Sequence, residues 1–397
     1  MTEPRAAFPR HIYSLDALRG LAALGVVLWH WQHFFYGGPR PEGFVVERQP
    51  FFGAFALLYT DGWRAVDLFF CLSGFIFYWL YSDKIASGAV SLREFFLLRF
   101  SRLYPLHLAT LLFVAVGQVL FLRVCRQSFV YQWNTLSQFV QQLGLANSWT
   151  PTGRITFNGP VWSVSVEVLL YGIFFVLCAV GWRRWWQLVP LVLAGVLTHR
   201  FGSLAVGRGL LSFFAGALTY QFCVVLARRG VARGVLWGMV VATALLWLGV
   251  KFLLQPGLAV AAYEASPLYL PWTWHGRNVA GGVLKNLVRY SPELLLYPLT
   301  ILTLALWEIR RRLPVGGLAF LGQISYSSYL LHFPLQMVFI AATRGLGLPT
   351  SFYYSPWSLA LFYATLVPLS LVCFRRFELP CQAWLRARLL PAREGRR

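Results

Sequence analysis

The feature that leaves this chain the fewest choices is a succession of apolar runs, about ten of them, each long enough to carry an α-helix across roughly 30 Å of hydrocarbon. They lie near residues 14–36, 64–82, 103–122, 161–180, 185–199, 207–227, 234–254, 291–309, 318–342 and 357–375. Inside lipid every backbone N–H and C=O must be satisfied within the structure, and a helix does this without a partner strand. The expected fold is therefore an all-α integral membrane protein, a bundle of about ten transmembrane helices. Composition agrees: 58% of the residues are hydrophobic and 12% charged, more apolar surface than one water-soluble core can hide. No Ser-, Gly- or Pro-rich linker divides the chain, so residues 1–397 read as a single membrane domain, with a short basic tail from about 376 and no appended soluble domain. The first run lacks a small-residue cleavage site and is expected to stay as a signal anchor.

A formal charge of +21 would suit a nucleic-acid binder, but the arginines come in short clusters between apolar runs, without an interleaved basic and aromatic surface. Nucleic acid is therefore not an expected partner. Topology explains the clusters better. Arg5 and Arg10, Lys84 and Arg93, Arg183 and Arg184, Arg228, Arg229 and Arg233, Arg310 to Arg312, then Arg375, Arg376 and the tail alternate regularly, which predicts both termini on the cytoplasmic side. Longer connections near 37–63, 123–160 and 255–290 then fall on the opposite face, where their Trp, Tyr, Asn and Gly content suits sugars or other bulky acceptors. The six cysteines are scattered and make no metal-ligand spacing, so neither a disulfide framework nor a metal site is expected.

Ionisable side chains inside spanning helices cost several kcal/mol and by default mark function. In "YSLDALRGLAALGVVLWHWQHFF", Arg19 and His30 stand eleven residues apart. At about 100° and 1.5 Å per residue they share one helical face to within about 20°, some 16 Å apart along the axis. A neutral imidazole is well suited to take a proton from a hydroxyl near neutral pH. The structural alternative is a snorkelling Arg19 and a helix-bridging His30. His33, about 60° off the Arg19 face, is expected at the outer interface. In "SLREFFLLRFSRLYPLH", Ser91 and Glu94 form a capping box that should start a helix, Arg99 and Arg102 share one of its faces, and Pro105 marks a bend into the third span. Two fixed guanidiniums make a phosphate clamp, for a substrate or for lipid headgroups. In "NGPVWSVSVEVLLYGIFF", Asn158 to Pro160 start a helix, and Ser163, Glu167 and Tyr171 fall four apart on one face. Glu167 needs a cation, a proton or a donor, and Arg19 or His30 is the candidate partner. Asp67 is a similar buried carboxylate nearer the outer end of the second span. In "LGQISYSSYLLHFPLQ", Ser325, Ser328 or Tyr329, His332 and Gln336 form one polar stripe, which either serves the site or joins helices.

Taken together, "LDALRGLAALGVVLWH", "VDLFFCLSGFIF", "RFSRLYP", "WSVSVEVLLY" and "ISYSSYLLHFPL" resemble, in order, the motifs of the acyltransferase-3 family of integral membrane acyltransferases, the O-acetyltransferase type that modifies bacterial surface glycans. The resemblance implies an enzyme that takes an acyl group, usually acetyl, from cytoplasmic acyl-CoA and delivers it to an extracytoplasmic hydroxyl, with acyl-CoA as donor substrate and no metal. It makes His30 the essential catalytic histidine, with Arg19 supporting it or the incoming thioester, and associates Arg99 and Arg102 with the CoA donor; Glu167 joins the catalytic candidates as the buried carboxylate that could pair with either. Asp67, Trp162, Ser163, Tyr329 and His332 are further candidates. The implied setting is the bacterial inner membrane, among lipid, with a cell-surface or lipid-linked glycan as acceptor and room for a separate periplasmic partner. Val164 replaces the Leu common in the Trp-Ser-Leu pattern, a conservative change. Some relatives add a periplasmic hydrolase-like domain, which this sequence lacks. The competing reading is a proton-coupled transporter or flippase of glycan precursors, which should show inverted repeats; none is evident.

Overall fold

A computed structural model describes residue 9 and residues 11–36, 40–151, 153–266, 273–274, 277–311 and 316–390. It is helical almost throughout. In chain order the α-helices are α1 (Tyr13–Trp29), α2 (Phe52–Asp61), α3 (Ala65–Ala86), α4 (Leu92–Cys125), α5 (Leu136–Leu143), α6 (Val161–Ala179), α7 (Trp185–Phe201), α8 (Leu204–Arg229), α9 (Arg233–Leu248), α10 (Val250–Leu254), α11 (Pro256–Glu264), α12 (Val279–Ser291), α13 (Tyr297–Arg311), α14 (Ala319–Gln323), α15 (Ser325–Gly345), α16 (Pro356–Cys373) and α17 (Leu379–Leu389). A two-residue antiparallel pair, Thr273–Trp274 against Arg277–Asn278, is the one extended pairing of named strands among the described residues.

Six helical runs among the described residues are long and apolar enough to cross a membrane: Phe52–Ala86, Leu92–Cys125, Val161–Ala179, Leu204–Arg229, Ala280–Arg310 and Pro356–Leu389. The chain is a multi-pass membrane protein, although this count falls short of the ten runs expected. Four expected spans differ for identifiable reasons. The first stops being α-helical at Trp29 and continues as a 3-10 turn from His30 to Phe35. The run at 185–199 forms a helix of 17 residues and that at 234–254 one of 16, ended at Gly249. The run at 318–342 is interrupted at Ile324, and the polar stripe of α15 lowers its hydropathy. All three expected long loops carry helices: α5 lies within 123–160, α2 leads through a short 3-10 turn into α3, and α12 leads through a π-turn at Pro292–Leu296 into α13. Arg5, Arg10, Arg312 and the tail beyond 390 lie outside the described residues.

Tight contacts at small residues hold the bundle. A side chain at Gly74 would overlap the Phe213 carbonyl, and one at Gly216 would overlap that of Cys71, so α3 and α8 touch backbone to backbone. Gly20 packs on Leu321 and Gly322 on Asp16, which brings α1 against α14 in the same way. Lipid supplies little hydrophobic drive between helices, so such close van der Waals approach is what brings them together. At the start of α1, the Glu308 carboxylate of α13 accepts the backbone N–H groups of Tyr13 and Ser14, each at 2.7 Å. A carboxylate there satisfies two amides that the helix leaves unpaired and complements its positive end.

Candidate functional site

Two neighbouring cavities run through the bundle. The first lies between the first half of α3 and the N-terminal part of α4, and its walls include Arg19, Ser73, Arg99, Arg102, Glu167 and Tyr171. Ser91 caps α4 by accepting the Glu94 N–H at 3.2 Å, as its sequence signature predicts, and the helix runs on through Pro105 to Cys125 without ending. One turn in, Arg99 donates to the Tyr81 hydroxyl and stacks over Phe77 at 4.9 Å. Arg102, one face-step later, lines the cavity and enters no hydrogen bond or ion pair among the described residues. Arg19 donates to Asp16 Oδ1 at 2.9 Å and to the Gly322 carbonyl at 2.8 Å, while remaining 22% exposed. Glu167 accepts from Ser73 Oγ at 2.7 Å. Three guanidiniums around one carboxylate make this an anion-binding space, since each planar fork presents several N–H donors to phosphate or carboxylate. Arg386 of α17, which the sequence reading passed over, anchors beside it through Ser101 Oγ at 3.2 Å and the Leu98 carbonyl at 3.4 Å.

The second cavity is lined by His30, His33, Trp63, Tyr131, Trp162 and Arg208, among others. Two imidazoles, His30 and His33, face it, and a third, His332, is buried behind His30. His30 Nδ1 lies 3.0 Å from the Val26 carbonyl and 3.2 Å from Nε2 of His332. A carbonyl can only accept, so Nδ1 carries the hydrogen, which leaves Nε2 of His30 as the lone pair and His332 as a second acceptor behind it. Gln336 holds the assembly from α15: its Nε2 donates to the His30 carbonyl at 2.9 Å, and its Oε1 lies 3.1 Å from His33 Nδ1. His33 is thus 4% exposed and bonded inside the bundle, not at the outer interface as expected. The cause is the 3-10 turn: residues three apart eclipse one another there, where an α-helix would rotate them apart. His30 and His33 rings accordingly lie 4.9 Å apart. Burial pushes the Tyr131 phenol above its ordinary range, so it serves this cavity as a neutral hydroxyl.

Val66 and Tyr329 line both cavities and form the wall between them. Tyr329 Oη and Ser163 Oγ are 2.7 Å apart and both reach the Pro160 carbonyl, at 3.0 and 3.1 Å. The structure therefore distributes the sequence candidates. Arg19, Arg99, Arg102, Ser163 and Glu167 belong to the first cavity, His30 and Trp162 to the second, Tyr329 to both, and fully buried His332 stands behind His30. Arg19 lies on α1 and His30 on the 3-10 turn that follows it, and they open into different cavities where their spacing predicts one shared space; Glu167 hydrogen-bonds to neither of them. The imidazole is oriented by Val26, His332 and Gln336 instead.

Asp67, 1% exposed, is committed elsewhere. Arg208 of α8 forks onto it, Nε to Oδ1 at 2.9 Å and Nη2 to Oδ2 at 3.0 Å, and its guanidinium lies over Trp63 at 4.5 Å and Trp162 at 5.0 Å. Arg208 is the principal residue that the sequence reading missed. Its position inside the apolar run "AVGRGLLSFF" carried the same signal as Arg19.

Comparison with known proteins gives this geometry a family. The acyltransferase domain of the acyltransferase-3 type matches residues 12–375. The chain is similar to "Acyltransferase MdmB" of Streptomyces mycarofaciens, 34% identical over 166 residues, which cover 40% of this chain and 37% of that protein. It is also similar to "Protein 2 in picA locus" of Rhizobium radiobacter, 34% identical over 107 residues, 27% of this chain and 46% of that one. In both matches the chain spans less than half of the relative's length. No solved structure matches. A guanidinium-lined cavity meets an imidazole-lined one inside a multi-pass helical bundle whose sequence fits this domain over residues 12–375, and on that match the chain belongs to the acyltransferase-3 family.

Proposed function

We propose that the protein moves an acyl group, in the simplest case acetyl, from cytoplasmic acyl-CoA to a hydroxyl of an extracytoplasmic glycan or lipid-linked sugar in the bacterial inner membrane. In this reading residues 1–397 act as one membrane domain with the Arg99 end of the bundle facing the cytoplasm. One observation carries it: two cavities share the wall of Val66 and Tyr329, one offering guanidiniums and the other an imidazole with a bare Nε2. Arg102, unengaged among the described residues, and Arg99 hold the phosphates of CoA, with Arg19 deeper along the same cavity. The pantetheine arm brings the thioester to the wall at Tyr329. On the far side His30 Nε2 takes the proton of the acceptor hydroxyl as it attacks the thioester carbonyl, and CoA leaves as the thiolate. Where transfer is stepwise, the same lone pair attacks the thioester first and carries the acyl group to the acceptor. The Val26 carbonyl, fixed on Nδ1, steadies the imidazolium that forms.

The test uses the full-length protein in lipid nanodiscs. Labelled acetyl-CoA binds to the wild type and to His30→Ala alike, and mass spectrometry of surface glycans from a deletion strain shows one ester missing, restored by the wild type and not by His30→Ala. Absent acyl-CoA binding, together with solute uptake into vesicles that is independent of acyl-CoA, would replace this reading with transport.

A further inference from the structure

Beyond the donor and the base, the second cavity holds an arginine with an unusual degree of restraint. One edge of the Arg208 guanidinium, Nε and Nη2, is taken by both oxygens of Asp67 at 2.9 and 3.0 Å. Its planar surface lies against the indoles of Trp63 and Trp162 at 4.5 and 5.0 Å. What remains is the Nη1 corner, which no hydrogen bond occupies among the described residues, on a side chain still 12% exposed in the wall that also carries His30. A guanidinium fixed on its edge and against two rings loses little conformational freedom when a ligand arrives. Its charge is already neutralised by Asp67. The next charged groups outward, Arg64, Asp61 and Glu293, pair with one another, with Arg64 3.8 Å from Asp61 and 4.0 Å from Glu293. The cavity therefore offers directed N–H donors and aromatic walls without an unpaired cation.

We infer that Arg208, clamped by Asp67 and seated between Trp63 and Trp162, is the acceptor-positioning group, and that it selects a neutral, ring-shaped polyhydroxyl acceptor, an uncharged sugar. The inference rests on the acyltransferase reading of the same site. Sugar hydroxyls accept from Nη1, the C–H face of the ring packs on Trp162 and Tyr131, and one hydroxyl is left at His30 Nε2. An acidic sugar meets Asp67 without a free cation to answer it, so it is disfavoured.

Saturation-transfer NMR on the full-length protein in nanodiscs, without donor, tests this with two probes, methyl β-glucopyranoside and methyl β-glucuronide. The expected result is binding of the neutral glycoside to the wild type and at least tenfold weaker binding of the glucuronide. Arg208→Lys and Trp162→Leu should each weaken the glycoside fivefold or more while labelled acetyl-CoA binds as in the wild type. If Arg208→Lys also loses acetyl-CoA binding it has misfolded, and Trp162→Leu decides. Equal or better binding of the glucuronide, or unchanged glycoside binding in a folded variant, overturns the inference. Failure of the glycoside with acetyl-CoA binding intact sinks this proposal alone; the reverse pattern sinks the acyltransferase reading and leaves the sugar seat standing.

Discussion

The two cavities share a wall but treat charge in opposite ways. On the Arg99 side the charges are under-committed: Arg102 is unengaged among the described residues, and Arg19 leans on a carboxylate and a carbonyl while staying 22% exposed. On the His30 side the reactive groups are held by fixed neighbours, Val26 on the His30 ring, Gln336 on the His30 backbone and on His33, and Asp67 on Arg208. The difference teaches where recognition and positioning are kept apart. A site that must accept and release a polyanion benefits from cations whose best partner is the ligand. A site that must aim a lone pair at a hydroxyl benefits from groups already fixed, because no reorganisation is then needed at the moment of reaction.

The comparison can be broken most directly at the imidazole. His30→Ala should lower acyl transfer by about 10²–10⁴-fold, the range of a lost general base, with acyl-CoA affinity unchanged in equilibrium binding. In the wild type the rate should fall on the acid side with loss of one proton-accepting group, and this limb should vanish from the residual activity of the variant. Gln336→Leu comes next: it removes the amide that holds both His30 and His33 but touches no substrate, so turnover should fall about 10–100-fold, as with lost supporting hydrogen bonds around a reactive group. Its donor affinity should stay put, and a rise in the donor KM would blur the division between the cavities. Arg102→Ala should weaken acyl-CoA by about tenfold, near 1.5 kcal/mol for a charge-assisted contact, with kcat at saturating donor almost intact and a shallower salt dependence. Tyr329→Phe should have the smallest effect, about 1 kcal/mol of thermal stability and a few-fold in rate, because the ring stays in the wall and one hydroxyl is lost.

Much of this was legible in residues 13–36. The apolar run, Arg19 and His30 were all in place, but a constant step of about 100° carried the α-helix through to His30, and the two residues open into different cavities. What the sequence does not carry is the change of helical pitch at His30, and with it the burial of His33 next to His30. Ser91 announced the start of α4 because a capping box is a local signal, satisfied within four residues. Arg208 carried a local signal as a charge inside an apolar run, but its partners could not be read from the sequence. Its partners Asp67 and Trp63 lie on α3 and the turn before it, and only the backbone contact of Gly74 with Phe213 and of Gly216 with Cys71 brings α8 to them. The ten apolar runs became six long spans because a run measures apolar content. Where the helix stops depends on Gly249, on Ile324, or on the turn after Trp29.

The carboxylate at the start of α1 has a consequence for how the protein is made. The amides of Tyr13 and Ser14 precede the group that satisfies them, Glu308, by 295 and 294 positions in the chain. Gly322, whose carbonyl receives Arg19, comes later still. The helix bearing the reactive imidazole must therefore wait in the translocon or the bilayer, its end unsealed, until α13 and α14 arrive. A chain truncated before residue 308 would keep the Val26 contact of His30 but lack Glu308, Gly322, His332 and Gln336, which fix its helix and its ring in the bundle.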